Sequence, residues 1–133
     1  MAGLTILDAS VLIAYFGAGD AHTEHAVGLL ERADDLAVST ITLAEVLVGA
    51  TRSGRARELL EALADMEVEE ARLGPNAAEA LAQLRIATGL RLPDCCVLLA
   101  ADATNATAVA TFDDRLAKAA EQKGYAAASG LPD

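Results

Sequence analysis

The sequence predicts an α/β fold, a three-layer sandwich in which a mainly parallel central sheet of about five strands is flanked by helices. Three features point there. Strand-like and helix-like segments alternate from one end of the chain to the other. The runs at 4–7 and 107–112 are apolar without a strict in–out alternation, as strands covered on both faces require. Only Tyr15, Phe16, Phe112 and Tyr125 supply aromatic rings, so the core must be built from Ala, Leu and Val, which suits helices packed on a sheet. The 133 residues fit one domain, 1–133, with a proper core.

The first strand, 4–7, is the run Leu4-Thr5-Ile6-Leu7, ended by Asp8. Helix patterns follow at 10–17 and 22–33, and a second strand at 36–40. The helix at 42–52 has Leu43, Val46, Leu47 and Ala50 at i, i+3, i+4 and i+7, a clean apolar stripe with Glu45 near one border. Gly54 separates it from a helix at 55–65. A third strand at 66–70 leads through Gly74-Pro75 to a helix at 76–88, which Gly89 ends. The helix at 94–104 must be almost wholly buried, because Cys95 to Ala101 contains no polar side chain beyond the two thiols. Strand 107–112, helix 114–123 and strand 125–128 complete the pattern.

Composition sets limits on function. A net charge of −10 excludes indiscriminate binding to nucleic-acid backbone, whose affinity comes from Lys and Arg neutralising phosphates. Any such contact must be local, and the basic concentration Arg52, Arg55 and Arg57 is the candidate, with Arg85 and Arg91 further along. No apolar run approaches the roughly 20 residues of a membrane span, and the N-terminus lacks the pattern of a secretory signal, so a cytoplasmic protein is expected. Cys95 and Cys96 are adjacent, a spacing that suits neither a disulfide nor zinc, and read as buried free thiols. His22 and His25, three apart on one helix, read as surface residues rather than metal ligands or a general base.

Asp8, Glu45, Asp94 and Asp113 stand where the chain otherwise places apolar residues. Each taken singly has an ordinary explanation: Asp8, Asp94 and Asp113 as helix caps, Glu45 as a solvated helix residue. Together they share one predicted edge, the carboxyl ends of the strands, where open α/β sheets bind ligands. Carboxylates held close repel one another, and a divalent cation removes that cost. Mg²⁺ and Mn²⁺ prefer oxygen ligands, and hydrolysis of a phosphodiester then becomes accessible.

The stretches Ile6-Leu7-Asp8-Ala9-Ser10, Ser39-Thr40-Ile41-Thr42-Leu43-Ala44-Glu45-Val46, Leu92-Pro93-Asp94 and Ala110-Thr111-Phe112-Asp113-Asp114-Arg115-Leu116 resemble, in order and spacing, the four acidic motifs of the PIN domain. The resemblance spans essentially the whole chain, and the nearest likeness is to VapC-type toxins. It implies a Mg²⁺- or Mn²⁺-dependent endoribonuclease, usually a homodimer, restrained by a VapB-type antitoxin. Motif by motif, Asp8, Glu45, Asp94 and Asp113 would be the catalytic carboxylates, with Asp8, Asp94 and Asp113 on the metal. Ser10 and Thr111 match supporting hydroxyl positions. The neighbouring Asp114 could take the fourth acidic role instead of Asp113, or cap the helix at 114–123. If RNA is the substrate, Arg52, Arg55 and Arg57 are the expected phosphate contacts.

Two other functions fit parts of the pattern. A phosphoacceptor signalling domain has about this length and binds Mg²⁺ through carboxylates, although the acidic pair after the first strand and the Lys after the last are missing. An inactive interaction module would keep the fold and use the acidic rim only to bind a basic partner.

Overall fold

The computed structural model describes residues 3–17 and 21–128. Five strands, β1 (Leu4–Leu7), β2 (Asp35–Ser39), β3 (Val68–Ala71), β4 (Ala108–Ala110) and β5 (Ala126–Ala128), form one sheet in the order β3-β2-β1-β4-β5. Every pairing is parallel. Between them run α1 (Ala9–Phe16), α2 (Thr23–Arg32), α3 (Thr40–Arg52), α4 (Ala56–Asp65), α5 (Ala77–Thr88), α6 (Leu92–Thr104) and α7 (Asp114–Gln122). The expected sandwich is present, and the sheet is parallel throughout.

The period of two along each strand divides the core between the faces of the sheet. Ile6, Ala37 and Val109 point to one side, where α6 and α7 cover them and Leu81 and Leu84 of α5 pack from outside. Leu7, Leu36, Val38 and Ala110 point to the other, against α1, α2, α3 and α4. The buried face of α6 consists of Cys95, Cys96, Val97, Leu98, Ala100 and Ala101. Both cysteines are buried free thiols, and loss of solvation is the main cause holding each above the usual thiol range. They are inert packing groups, as their spacing implied.

Three boundaries differ from the sequence pattern in ways that bear on the site. Thr40 belongs to α3 rather than to β2, because the chain passes from strand to helix with no intervening loop. Helix α6 begins at Leu92, so Pro93 is its second residue; proline is welcome in a first turn, where its missing N–H would have no partner. Strand β4 is only three residues long, and Thr111 and Phe112 lie beyond it. Gly89 closes α5 with φ of 72°, a left-handed conformation that turns the chain back towards α6.

The strand order fixes where a ligand site belongs. From β1 the chain steps outward to β2 and β3, then crosses back to β4 on the other side of β1. The connections therefore part above β1 and β4, opening a crevice at their carboxyl ends. Phosphoacceptor signalling domains of the CheY type have the order 2-1-3-4-5; this sheet does not, which removes that alternative. Among the described residues no helix is long and apolar enough to cross a membrane.

Candidate functional site

The register of β1 with β4 pairs Leu7 with Ala110, so the next residues, Asp8 and Thr111, meet above the sheet. Asp8 occupies the N-cap of α1, yet its carboxylate accepts no hydrogen bond from that helix's backbone. Its Oδ2 instead accepts from Ser10 Oγ at 2.8 Å and Thr111 Oγ1 at 2.7 Å. The capping explanation for Asp8 is thereby excluded. Each hydroxyl has one proton, and both protons are committed to Asp8. The hydroxyl oxygens are held in turn by backbone donors: Phe112 N–H donates to Ser10 Oγ at 3.1 Å, and Asp113 N–H to Thr111 Oγ1 at 3.0 Å. The 3.5 Å approach of the two hydroxyls is therefore proximity without a shared proton.

Asp8 is 7% exposed and Thr111 1%. Neither Asp8 nor any other rim carboxylate has a cation within salt-bridge distance; among the described residues only Arg55–Glu58 and Lys123–Asp102 form such pairs. An ionised carboxylate that is buried without a counter-charge is costly, and two hydroxyl donors offset only part of that.

The other three carboxylates surround Asp8 from separate elements. Asp113 caps α7, with Oδ1 accepting from Arg115 N–H at 2.9 Å and Leu116 N–H at 3.4 Å. The capping role thus falls to Asp113, not to Asp114, which is exposed in the first turn of α7. Asp94 is not a cap: it is the third residue of α6, half-buried, with Arg91 at the N-cap. Glu45 is the sixth residue of α3, about 8 Å along the helix from Thr40 at 1.5 Å per residue.

Electrostatics ties the four together. Asp94 is raised above the usual carboxylate range, by burial first and then by the charges of Asp8 and Asp113. Glu45 is raised likewise, by the partial burial of its carboxyl and then by Asp8 and Asp94. Two cations oppose these shifts: Arg91 lowers both groups and Arg115 lowers Asp94. The four carboxylates lie within one another's fields, although no group of three Asp, Glu, His or Cys side chains among the described residues stands close enough to chelate an ion as placed.

The donor set nevertheless fits a hard divalent cation. All four side chains offer oxygen. Asp8 and Asp113 are each anchored through one oxygen, which leaves Asp8 Oδ1 and Asp113 Oδ2 with no protein donor among the described residues. Beneath the rim, Ser39 Oγ at the end of β2 and Thr42 Oγ1 in the first turn of α3 are fully buried without a hydrogen-bond partner among those residues.

The basic cluster expected to meet RNA lies elsewhere. Arg52 ends α3, about 18 Å from Thr40 by helix rise. Arg55 is paired with Glu58 at 3.1 Å, and Arg57 lies on α4 beside Leu60 and Glu61. The fold brings none of the three to the rim. It brings there Arg91, which the sequence pattern noted only as lying further along from that cluster, and Arg115, which it did not single out. It also stacks the exposed His22 ring on Phe112, with centroids 4.7 Å apart and planes at 24°, so the first histidine borders the rim residue Asp113. No local signal links positions 22 and 112. His25, 5.9 Å from His22 by ring centroid, has its Nδ1 buried without a hydrogen-bond partner among the described residues.

Solved structures share this architecture. A toxin–antitoxin complex from Klebsiella pneumoniae matches with a TM-score of 0.78 and 24% identity, over 97% of this chain and 99% of that one. VapC20 of Mycobacterium tuberculosis, a sarcin–ricin-loop-cleaving toxin, matches at 0.72 and 18%, over 86% and 94%. FitAB bound to the DNA fragment IR36 also matches at 0.72 and 18%, over 97% and 98%. At these identities the likeness establishes the fold alone. No curated protein matches the chain. The PIN domain family model, however, matches residues 5–122, most of the chain and all four acidic motifs, and the chain belongs to the PIN domain family.

Proposed function

We propose that this PIN domain is a Mg²⁺- or Mn²⁺-dependent endoribonuclease and the toxin of a VapBC-type toxin–antitoxin pair. The observation that carries this is the buried Asp8 carboxylate, tied down through one oxygen by Ser10 and Thr111 and surrounded by Glu45, Asp94 and Asp113 with no salt-bridging cation. Such a charge arrangement is costly without a cation or shared protons.

Asp8, Asp94 and Asp113 would hold the ion, with Glu45 beside it. A bound Mg²⁺ or Mn²⁺ supplies an acidified water and neutralises charge on the phosphodiester. The protein's own part is orientation. Ser10 and Thr111 fix the Asp8 carboxylate on the β1 side, and the backbone N–H groups of Phe112 and Asp113 fix those hydroxyls from the β4 side. Glu45, raised by partial burial and then by the charges of Asp8 and Asp94, is suited to accept a proton from an attacking water. Asp114, exposed one residue past the cap, adds negative charge to the first turn of α7.

A protein partner is supported by a separate feature. Helices α1, α3 and α4 leave a largely apolar groove of about 420 Å³, lined by Leu12, Ile13, Phe16, Val46 and Leu59 and also by Arg55 and Glu58, which are paired with each other. Ile13 is 53% exposed within it. An amphipathic helix of a VapB-type antitoxin would cover this surface, and a basic segment of the same partner would block the acidic rim. Helix α5, which buries none of its residues and leaves Ile86 87% exposed, offers a surface for homodimer formation.

The test is incubation of the purified chain with total cellular RNA, followed by sequencing of the new RNA ends. Cleavage should require Mg²⁺ or Mn²⁺, stop with EDTA and be lost in Asp8→Asn. Protein that cuts no RNA with either ion would instead favour an inactive interaction module.

A further inference from the structure

We propose that Arg91 and Arg115 form a two-armed phosphate clamp on the acidic rim, which holds the RNA backbone against Asp94 and so lets a strongly acidic protein accept a polyanion. This rests on the ribonuclease assignment above and names the groups that position its substrate.

Placement is the first ground. Arg91 is the N-cap of α6, and Arg115 is the second residue of α7. Both cations therefore sit at the positive end of a helix, where the backbone dipole disfavours them. Arg32 and Arg52, by contrast, lie in the last turns of α2 and α3, where the dipole favours a cation. Arg55 and Arg57 hold the same two positions on α4, so helix position alone does not single out a site; Arg91 and Arg115 differ in that the charges of both reach Asp94, whereas Arg55 is paired with Glu58.

Availability is the second. Both side chains are exposed, and neither forms a salt bridge among the described residues. Arg115 reaches from α7 across to the α5–α6 turn, where its guanidinium makes a long 3.5 Å contact with the Gly89 carbonyl two residues before Arg91. That contact brings Arg115 to the turn that carries Arg91 while using one of five N–H donors, and the charges of both arginines act on Asp94. Arg85 is differently employed, since it donates to the Leu90 carbonyl at 2.7 Å and pins the turn.

Chemistry is the third. The rim has to attract both a cation and a phosphate, and carboxylates alone repel the second. Guanidinium groups match phosphate oxygens in pairs and cannot lose their charge. The fields of these two already reach Asp94, and that of Arg91 reaches Glu45.

The probe is a short labelled single-stranded RNA, titrated at several salt concentrations into the full chain carrying Asp8→Asn so that it stays intact. Each phosphate contact adds about 0.7 to the slope of log affinity against log salt. Arg91→Gln and Arg115→Gln should each remove about that much, with roughly tenfold weaker binding for each lost charged hydrogen bond. In the otherwise native chain the same substitutions should raise KM more than they lower kcat. Arg115→Lys should keep the slope, because it keeps the charge. Thermal melting of each variant separates this from loss of fold. An unchanged slope in the double Gln variant, or a slope lost instead on changing Arg52, Arg55 and Arg57 to Gln, overturns the clamp while leaving RNA cleavage by the native chain intact. If the native chain neither binds nor cuts RNA, both the clamp and the ribonuclease assignment fall.

Discussion

The rim above β1 and β4 and the groove between α1, α3 and α4 lie on the same domain and are opposite in chemistry. At the rim, charge has been placed where the surroundings are apolar: Asp8 is 7% exposed, and Asp94 and Glu45 are both raised by burial and by their acidic neighbours. At the groove, apolar surface has been left in water, with Ile13 half exposed beside Phe16 and Leu59. Each costs the isolated chain stability, one through unshared charge and the other through unburied hydrocarbon. Under the functions proposed, each would be relieved by binding, of a cation and an anion in the first case and of a protein helix in the second. Local instability thus marks two sites, and the sign of the chemistry tells them apart.

The rim should be far more sensitive than the groove to single atoms. Asp8→Asn removes a carboxylate oxygen from the centre of the acidic group. It should lower RNA cleavage at least about 100-fold, consistent with the several kcal/mol that metal-based charge stabilisation supplies, as measured by initial rates at saturating Mg²⁺. Thr111→Val keeps the shape and deletes one donor to Asp8 and one acceptor for Asp113 N–H. A loss of about 10–100-fold in metal affinity or rate is expected, as for other groups that orient a ligand, and Thr111→Ser should recover most of it. A fully active Thr111→Val would show that Ser10 alone can hold Asp8.

The groove should respond only in the presence of its partner. Ile13→Glu is expected to weaken binding of the antitoxin by about 1–2 kcal/mol, or roughly 5- to 30-fold, measured by calorimetry, while cleavage by the free protein is unchanged. Reduced activity of the free variant would mean that the two sites are coupled through α1, which runs from Asp8 to the groove.

The smallest effect distinguishes charge cost from hydrocarbon cost. Glu45 and Asp94 have folded-state pKa values raised above their ordinary 4.5 and 3.8. The folded state therefore binds protons more readily, and the stability so gained is present below those ordinary values and lost as pH rises through the raised ones. Metal-free protein should melt at a slightly lower temperature at neutral pH than near pH 4 on account of these two groups. Glu45→Gln should flatten part of that slope, and Mg²⁺ should raise the melting temperature more at neutral than at acid pH. Ile13→Ala, which adds no titratable group, should leave that pH dependence unchanged.

Much of the architecture was legible because it is periodic. Every helix and strand follows from apolar spacing and from turn residues such as Gly89, and the parallel order follows from alternation. The acidic residues could be picked out because four carboxylates against apolar flanks are anomalous one by one. What the pattern did not carry is contact between distant positions. Pro93 looked like a boundary, though it belongs to the first turn of α6. The Thr-x-Asp frame favours Asp113 for the acidic role and leaves the cap to Asp114, whereas backbone geometry gives the cap to Asp113. Arg52, Arg55 and Arg57 stood out by clustering in sequence, whereas Arg91 and Arg115 cluster only in space. The stacking of His22 on Phe112 has no sequence trace at all, because nothing at either position records the other.

The hydrogen bond from Thr111 to Asp8 joins residues 103 positions apart, and the strand that delivers Thr111 is the fourth of five. A nascent chain on the ribosome can fold α1 and extend β2 and β3, but it has no rim until β4 has emerged and paired with β1. If the site cuts RNA as proposed, the chain then has no cutting centre until β4 has paired with β1, however much of the earlier part is already folded.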